Sequence, residues 1–268
     1  MPGRRSGGLP MYDLPELIGQ TDAWWLGLVH HLEAAGLKGL PERPCRPDAP
    51  EELWLAQDLA LAQTCGYPLT HALAGRVRYV ATPCYGAPGC EGPLYCSAIL
   101  VHADARITGL ADLKGRRAGV NDWHSQSGMN ALRHSLLPYA GSEPFFREVR
   151  VTGSHRASLA ALQAGEVDVA VVDCVTLALL TRCAPAETEG LRRLAWSAPA
   201  PGLPLVTRAA AGDAELESLR RGLAAAFADP VLAQHRAALG LTGLVVLPLE
   251  SYDVIPAMAQ AAPQDFWG

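Results

Sequence analysis

The sequence predicts an α/β protein of two lobes joined by a two-strand hinge. Short apolar runs typical of strands alternate with amphipathic helical patterns along most of the chain. Two Gly/Pro-rich segments, 83–93 and 198–204, enclose one complete series of strands and helices and are typical of crossings between lobes. A length of 268 residues is long for one compact core and leaves one large domain or two lobes open. We predict lobe 1 from residues 1–97 and 203–268, and lobe 2 from 98–202.

The first lobe is predicted to open with an amphipathic helix over 21–36. Thr21 or Asp22 is the expected N-cap, and Gly36 is expected to end the helix. The later elements of this part are a proline-rich loop over 41–50, a second helix over 51–62, a strand over 77–81 and a β-rich run over 94–102. That last run is long enough to leave one sheet and enter another.

The block after residue 102 repeats strand and helix in the order of an α/β lobe. The helix over 126–137 shows the spacing most plainly, because Met129, Leu132 and Leu136 share one face. The predicted strands cover 117–121, 148–151, 167–172, 191–197 and 203–208. The other predicted helices cover 154–164, 175–182, 214–227, 230–239 and 252–262.

Composition and charge exclude several classes of function. The 22 Lys and Arg residues stand against 27 Asp and Glu, so the net charge of -5 leaves no basic footprint for nucleic acid. Only Lys38 and Lys114 are available for lysine chemistry. No stretch reaches the roughly 18 apolar residues of a membrane span. Residues 1–12 lack the apolar region of about 7–15 residues that a signal peptide needs, so we expect no export of the chain as written.

The 7 cysteines are too few for a disulfide scaffold, and their odd number prevents complete pairing within the chain. Cys84 and Cys90 are the expected pair in an oxidising compartment. The spacing Cys84-x5-Cys90-x5-Cys96 lacks the CxxC knuckle typical of zinc sites, and its Gly, Pro and Tyr residues suit a loop. We therefore predict neither a metal nor a cofactor.

The predicted strand over 117–121 runs through a polar turn into a helix whose first turn holds Ser125, Gln126, Ser127 and Gly128. Backbone N–H groups, two hydroxyls and the positive end of the helix dipole meet there, and glycine permits close approach. This pattern favours an oxyanion or carboxylate site. The alternative is a plain N-cap formed by Ser125.

Three segments resemble the phosphonate-binding solute receptors of ABC transporters, which have the type II periplasmic-binding-protein-like fold. They are the turn just described, Val151-Thr-Gly-Ser-His-Arg-Ala-Ser-Leu-Ala-Ala-Leu and Gly165-Glu-Val-Asp-Val-Ala-Val-Val-Asp-Cys. The resemblance extends from about Leu94 to Leu249. It implies capture of a small anionic ligand between the lobes, without turnover, and a transporter permease as partner. Phosphate, phosphite, phosphonate, sulfonate and organic acids all stay open.

The resemblance also implies ligand contacts. Phosphoryl oxygens are expected on Ser125, Gln126 and Ser127, Tyr95 is expected to close over the ligand, and His155 begins the next helix. Asp173 ends a buried strand and is expected either to reach the ligand or to cap the following helix. The acids that hold a ligand amine in aminophosphonate receptors correspond to positions near Val175 and Leu203, which are not acidic. This departure argues against 2-aminoethylphosphonate.

Three first-lobe residues complete the predicted site, namely Tyr12, Thr64 and Cys65, which lie at loop or strand-to-helix positions where such receptors contact ligands. Enzymes on the same fold are the alternative, such as chorismate dehydratases and thiamine-pyrimidine synthases, together with ligand-sensing subunits. His124 with Asp122, or His155 with Asp173, are the residue pairs that acid/base chemistry would use. The resemblance favours the periplasm and the missing signal the cytoplasm.

Overall fold

The computed structural model describes residues 5–141 and 143–262. These residues divide into two compact units, each with a sheet flanked by helices. The first unit comprises 5–86, 91–93 and 201–251, and the second comprises 87–90, 94–200 and 252–262, without residue 142. The predicted α/β class is confirmed. The remaining parts of the predicted first lobe, 1–4 and 263–268, lie outside the described residues.

The elements are numbered in chain order. The strands are β1 (Ser6–Gly8), β2 (Leu59–Gln63), β3 (Val77–Tyr85), β4 (Cys90–Glu91), β5 (Leu94–Tyr95), β6 (Ser97–His102), β7 (Arg117–Val120), β8 (Glu148–Val151), β9 (Val169–Asp173), β10 (Leu191–Trp196), β11 (Ala200–Pro201), β12 (Leu205–Arg208) and β13 (Leu241–Val245). The α-helices are α1 (Ile18–Ala34), α2 (Pro50–Trp54), α3 (Gly66–Thr70), α4 (Ala131–Leu136), α5 (His155–Gln163), α6 (Cys174–Cys183), α7 (Asp213–Ala228), α8 (Ala233–Ala238) and α9 (Val254–Ala261).

The first unit is built on a sheet with the strand order β1-β2-β12-β3-β13. β1 runs parallel to β2, whereas β12 and β13 run antiparallel to their neighbours. Helix α1 packs against α7, and its Trp25, Leu28 and Leu32 are almost fully buried. The sequence analysis did not predict β1 or β13, which are short and lie at the two ends of this sheet.

The predicted helix over 51–62 is wrong. Helix α2 ends at Trp54, and β2 begins at Leu59 with all of its five residues buried. β2 pairs with β1 on one side and with β12 on the other, so the run Leu-Ala-Leu-Ala-Gln has no exposed face to reveal its period. The Trp54 side chain donates from Nε1 to the carbonyl of Gln63 at 2.9 Å and ties α2 to the end of that strand.

The first helix begins earlier than predicted and ends as predicted. A 3-10 turn over Pro15–Leu17 leads into α1 at Ile18, so Thr21 is a buried residue inside the helix and not its N-cap. At the other end Gly36 has a φ of 107°, which glycine adopts without strain. Its N–H donates to Glu33 O at 3.1 Å and that of Leu37 to Leu32 O at 3.0 Å, which together form a Schellman motif.

The second unit is built on a sheet with the order β10-β6-β9-β7-β8. β9, β7 and β8 are parallel neighbours, and β6 and β10 are antiparallel. The predicted helical face of Met129, Leu132 and Leu136 is confirmed, because all three side chains are buried in one hydrophobic cluster with Val120 and Val171. The strands and helices predicted between residues 117 and 197 are present in this unit, with ends shifted by a few residues.

Helix α9 belongs to the second unit, whereas the sequence prediction placed 203–268 in the first lobe. It buries Ile255 and Met258, and α4 lies beside it. The side chain of Asn130 donates to Ile255 O at 3.1 Å, and Arg133 donates to Ala262 O at 2.8 Å. Helical periodicity shows which face of α9 is apolar but not which unit covers that face, so the sequence could not assign it.

A small third sheet has the strand order β11-β5-β4. The predicted run over 94–102 is interrupted at Cys96, which separates β5 from β6. In the ranges that the structure describes, no helix combines the length and apolar character that crossing a membrane requires.

The close approach of α1 and α7 predicts an effect of Gly222→Ala. A Cβ at Gly222 would lie 2.9 Å from Leu32 Cα and 3.1 Å from His31 O, both backbone atoms. Overpacking of this kind costs about 1–3 kcal/mol, more than the gain of up to about 1 kcal/mol that alanine brings to a helix. We expect Gly222→Ala to lower the free energy of unfolding in urea titrations followed by circular dichroism.

The matched control is Gly19→Ala in α1, where nothing lies within 4 Å of the added Cβ. Gly19→Ala is expected to leave stability unchanged or to raise it slightly. Equal effects of the two substitutions would contradict the tight helix contact.

Candidate anion-binding site

The candidate site lies where the parallel strands of the second unit end. Val120 of β7 is paired with Val151 of β8, and the pairing continues beyond both strands. Thr152 N donates to Val120 O at 2.8 Å, and Gly153 N donates to Asn121 O at 3.0 Å. The turn after β7 and the turn after β8 are therefore held side by side. Gly153 has a φ of 87°, a conformation that lets the chain turn directly into α5.

The helix after β7 opens with a π-helical turn over Gln126–Asn130, which continues into α4. Ser125 is its N-cap, as the alternative interpretation predicted, and its Oγ accepts from Gly128 N at 3.0 Å. The N–H of Asn130 donates to Ser125 O at 3.1 Å, which is the five-residue spacing of a π turn. Since the first N–H groups of a helix have no partner within it, this turn presents donors at the positive end of the dipole.

Gly128 is required by its surroundings. A Cβ at this position would lie 1.9 Å from Oδ1 of Asn121 and 3.3 Å from Oγ of Ser125. Asn121 was not among the predicted contacts, yet its Oδ1 is buried against this turn and accepts no hydrogen bond from the described residues. A polar residue directly after a buried strand was the signal that could have identified it.

His155 is the first residue of α5, and Ser154 caps that helix by accepting from Ala157 N at 3.0 Å. The ring lies between two partners. Nδ1 is 3.2 Å from the carbonyl oxygen of Val171, which can only accept, so Nδ1 carries the proton. Nε2 is 2.9 Å from Ser127 Oγ and therefore accepts from that hydroxyl. Removal of water from the ring lowers the pKa of His155 to about 4, which keeps the imidazole neutral near pH 7.

The Gln126 side chain faces away from this cluster. Its Nε2 lies 3.4 Å from Met258 Sδ on α9, and its Oε1 accepts from Asn130 at 2.5 Å. Only the backbone of Gln126 is left to serve as the predicted contact. The side chain instead joins the helix to α9, a long-range role without a signal in the local sequence.

Asp173 caps the following helix, which is one of the two roles that the sequence left open. Its Oδ1 accepts from Val175 N at 2.7 Å and from Thr176 N at 2.9 Å, so the carboxylate caps α6. Asp173 is 1% exposed. Tyr95 on β5 is 4% exposed, with its hydroxyl buried. The structure thus brings Ser125, Ser127, Gly128 and His155 together, and their contact with a ligand stays a prediction, as do those of Tyr95 and Asp173.

Tyr12, Thr64 and Cys65 belong to the first unit. The ring of Tyr12 packs edge-on against Tyr85 with the ring centres 5.0 Å apart. Thr64 directly follows β2 and is fully buried, and its N–H donates to Pro204 O at 2.9 Å. Cys65 is the buried N-cap residue of α3. The ligand contacts assigned to these three residues stay predictions.

The two residue pairs of the enzyme alternative lie in different surroundings. The His124 and Asp122 side chains approach within 3.6 Å but are 78% and 58% exposed on a surface turn. In His155 both ring nitrogens are engaged, by Ser127 and by the Val171 carbonyl. Across the described ranges, no group of three or more His, Cys, Asp or Glu side chains is arranged to hold a metal ion.

Comparison with known proteins gives the class of this chain. The model of the periplasmic substrate-binding proteins of ABC phosphonate transporters matches residues 56–252. The match covers well over half of the sequence. The chain belongs to this family of phosphonate substrate-binding proteins, as its motifs indicated. A search of curated proteins found no match.

Solved structures agree on the fold. PhnD1 from Prochlorococcus marinus, in complex with methylphosphonate, superposes with a TM-score of 0.77 at 14% identity, over 96% of this chain and 97% of that one. A binding protein component of an ABC phosphonate transporter from Pseudomonas aeruginosa gives 0.76 at 18% identity, over 95% and 85%. A Xanthomonas citri protein bound to ATP gives 0.71 at 16% identity, over 97% of each chain. The predicted type II periplasmic-binding-protein-like fold is confirmed.

The depressed pKa of His155 predicts a pH dependence of stability. Between its unfolded value of 6.5 and its folded value of about 4, the unfolded chain binds a proton that the folded chain does not. Stability is therefore lost as the pH falls through this window. From about pH 7 to about pH 5, the wild type should lose at most about 2 kcal/mol more unfolding free energy than His155→Gln. Urea titrations at both pH values measure the difference.

His124→Gln is the matched control, because the His124 side chain is 78% exposed. Its loss of stability over the same pH range should equal that of the wild type. If His155→Gln also matches the wild type, the ring is not held neutral by the fold.

Proposed function

We propose that this protein reversibly captures a small phosphonate- or phosphate-like oxyanion at the turn over Ser125–Gly128, without turnover, for delivery to an ABC transporter permease. Membership of the phosphonate substrate-binding family supports the class of ligand and partner. The observation that carries the assignment to this turn is the hydrogen bond between Ser127 and His155 at the start of a helix. A hydroxyl, an imidazole and helix N–H groups meet there within reach of a small anion.

The cluster holds its ligand with dipoles and hydrogen bonds. Ser125 Oγ accepts from Gly128 N and lies 3.4 Å from Ser127 Oγ, so its hydroxyl proton can turn from Ser127 Oγ to a ligand oxygen. Ser127 donates to His155 Nε2, so its hydroxyl must rotate toward the anion when a ligand binds. That rotation leaves Nε2 without a donor. A buried acceptor without a donor costs about 1–3 kcal/mol.

A ligand that keeps one proton removes this cost. A phosphonate, phosphate or phosphite monoanion has a P–OH group that can donate to His155 Nε2 while its other oxygens accept from the serines and the helix N–H groups. A sulfonate has no proton at neutral pH and offers no donor. The neutral tautomer of His155, set by the Val171 carbonyl, therefore favours phosphorus oxyanions over sulfur oxyanions.

The structure supports a ligand without an amine. The carboxylate of Asp173 is already used in capping α6, and Val175 beside it is buried and apolar. Leu203 in the first unit is likewise buried and apolar. A ligand ammonium group would find no acidic partner at these positions. Methylphosphonate and phosphite suit this arrangement better than 2-aminoethylphosphonate.

Calorimetry at neutral pH with methylphosphonate, phosphite, phosphate, 2-aminoethylphosphonate and methanesulfonate tests the class of ligand. Methylphosphonate or an inorganic phosphorus oxyanion should bind at least about tenfold more tightly than methanesulfonate, which corresponds to about 1.4 kcal/mol. Equal binding of methanesulfonate would contradict the proton-acceptor role of His155. Failure of every member to bind would overturn the proposed function.

Substitution of the serines tests the location of the site. Ser127→Ala removes a charge-assisted hydrogen bond and should weaken binding of the best ligand by about 10- to 100-fold. Ser135→Ala is the matched control, since Ser135 lies on α4 and its hydroxyl donates to Ala131 O at 2.7 Å. The control should keep the wild-type affinity. Unchanged binding by Ser127→Ala would place the ligand elsewhere.

A further inference from the structure

Two cysteines distant in sequence meet in the second unit. The Sγ atoms of Cys90 and Cys174 lie 3.4 Å apart, whereas the sequence prediction paired Cys90 with Cys84. Cys90 is partly exposed on β4, whereas Cys174 is 1% exposed as the first residue of α6. The mechanism proposed above uses neither of them.

Backbone contacts hold the two sulfur atoms together. Cys96 N donates to Gly89 O at 2.9 Å, and Cys174 N donates to Cys96 O at 3.2 Å, which links the segment before Cys90 to the start of α6. Gly89 has a φ of 99°, and a Cβ there would lie 3.1 Å from Cys174 Cβ. The glycine therefore lets the Cys90 segment approach α6 closely.

We propose that Cys90 and Cys174 form an intramolecular disulfide when the protein meets a disulfide oxidant, such as oxidised glutathione or a dithiol–disulfide oxidoreductase. Bond formation needs the sulfur atoms to approach by about 1.4 Å, to the normal S–S distance of about 2.05 Å. Rotation of two side chains on short, tethered segments supplies a movement of this size.

The electrons and protons balance through thiol–disulfide exchange. The Cys90 thiolate attacks the oxidant RSSR, which forms a mixed disulfide and releases one RS⁻. Cys174 then loses its thiol proton and attacks Sγ of Cys90, which releases a second RS⁻. In total, two protein thiols and one RSSR give one protein disulfide and two RSH.

The environment of each thiol fits this order. The hydrogen bond from Cys174 lowers the pKa of Cys90, which is the more exposed thiol of the pair. The pKa of Cys174 is raised, mainly by this hydrogen bond and also by burial. Cys90 is thus the accessible attacking thiol, and Cys174 resolves the mixed disulfide from inside. Burial also raises the pKa of Cys96, which makes that thiol a weaker competitor near neutral pH.

The crosslink would span residues 90–174, which include β5 to β9 of the second unit. Closing so long a segment removes conformational freedom from the unfolded chain and stabilises the fold. Neither Ser127 nor His155 takes part. The proposal therefore stands or falls independently of the proposed ligand.

The test uses the full chain, first reduced and then treated with oxidised glutathione. We expect the intact mass to fall by two hydrogen atoms, and non-reducing peptide mapping to show one crosslink, Cys90 to Cys174. The thermal midpoint should rise by about 4–16 °C and return to its starting value after reduction with dithiothreitol.

Variants separate the pair from the other cysteines. Cys90→Ser and Cys174→Ser should each abolish the rise in midpoint, and Cys174→Ser should retain a glutathione adduct on Cys90. Cys45→Ser is the matched control, because Cys45 is a partly buried cysteine of the first unit, and it should oxidise like the wild type. The peptide map of the wild type tests the crosslink even where a variant does not fold. A link from Cys90 to Cys84 or Cys96, a stable adduct on wild-type Cys90, or no oxidation would overturn the proposal.

Discussion

The candidate site depends on the parallel pairing of β7 with β8. The register sets Val120 opposite Val151 and continues through the hydrogen bond from Gly153 N to Asn121 O. Because parallel strands end at the same edge of a sheet, the turns that follow them are brought together. A shift of one residue along either strand would move every following side chain to the other face. The contact between Ser127 and His155 is thus a consequence of sheet register.

Three neighbouring strands each supply one part of the cluster. The turn after β7 carries Ser127, the turn after β8 carries His155, and β9 supplies the carbonyl of Val171. That carbonyl is a backbone group, so no substitution of a side chain removes it, and it selects one tautomer of the imidazole. Loss of water from the ring then keeps the histidine neutral. The carbonyl of Val171 therefore links the fold of the sheet to the protonation of His155.

The local sequence pattern predicted the structure correctly where residues of a single element determine it. The strand–turn–helix sequence around Ser125, the Ser154 cap and the apolar face of Met129 all follow from residues close in the chain. Prediction from the sequence was wrong or incomplete where a residue distant in the chain determines the structure. Residues 59–63 form a strand because β1 and β12 lie on either side, and Gln126 faces α9 because that helix packs on its own unit. Contacts with these neighbours produce no periodic pattern of apolar residues in the segments concerned.

The cluster proposed to bind an anion carries no formal charge of its own. Ser125, Ser127, Gly128 and neutral His155 carry no formal charge near neutral pH, so attraction comes from N–H dipoles, hydroxyls and the end of a helix. A fixed positive side chain would hold any anion, whereas directed donors and one acceptor hold an anion of the right shape and protonation. Discrimination then depends on whether every buried polar atom finds its partner. Such a cluster combines selectivity with moderate binding energy, which suits the reversible capture that we propose.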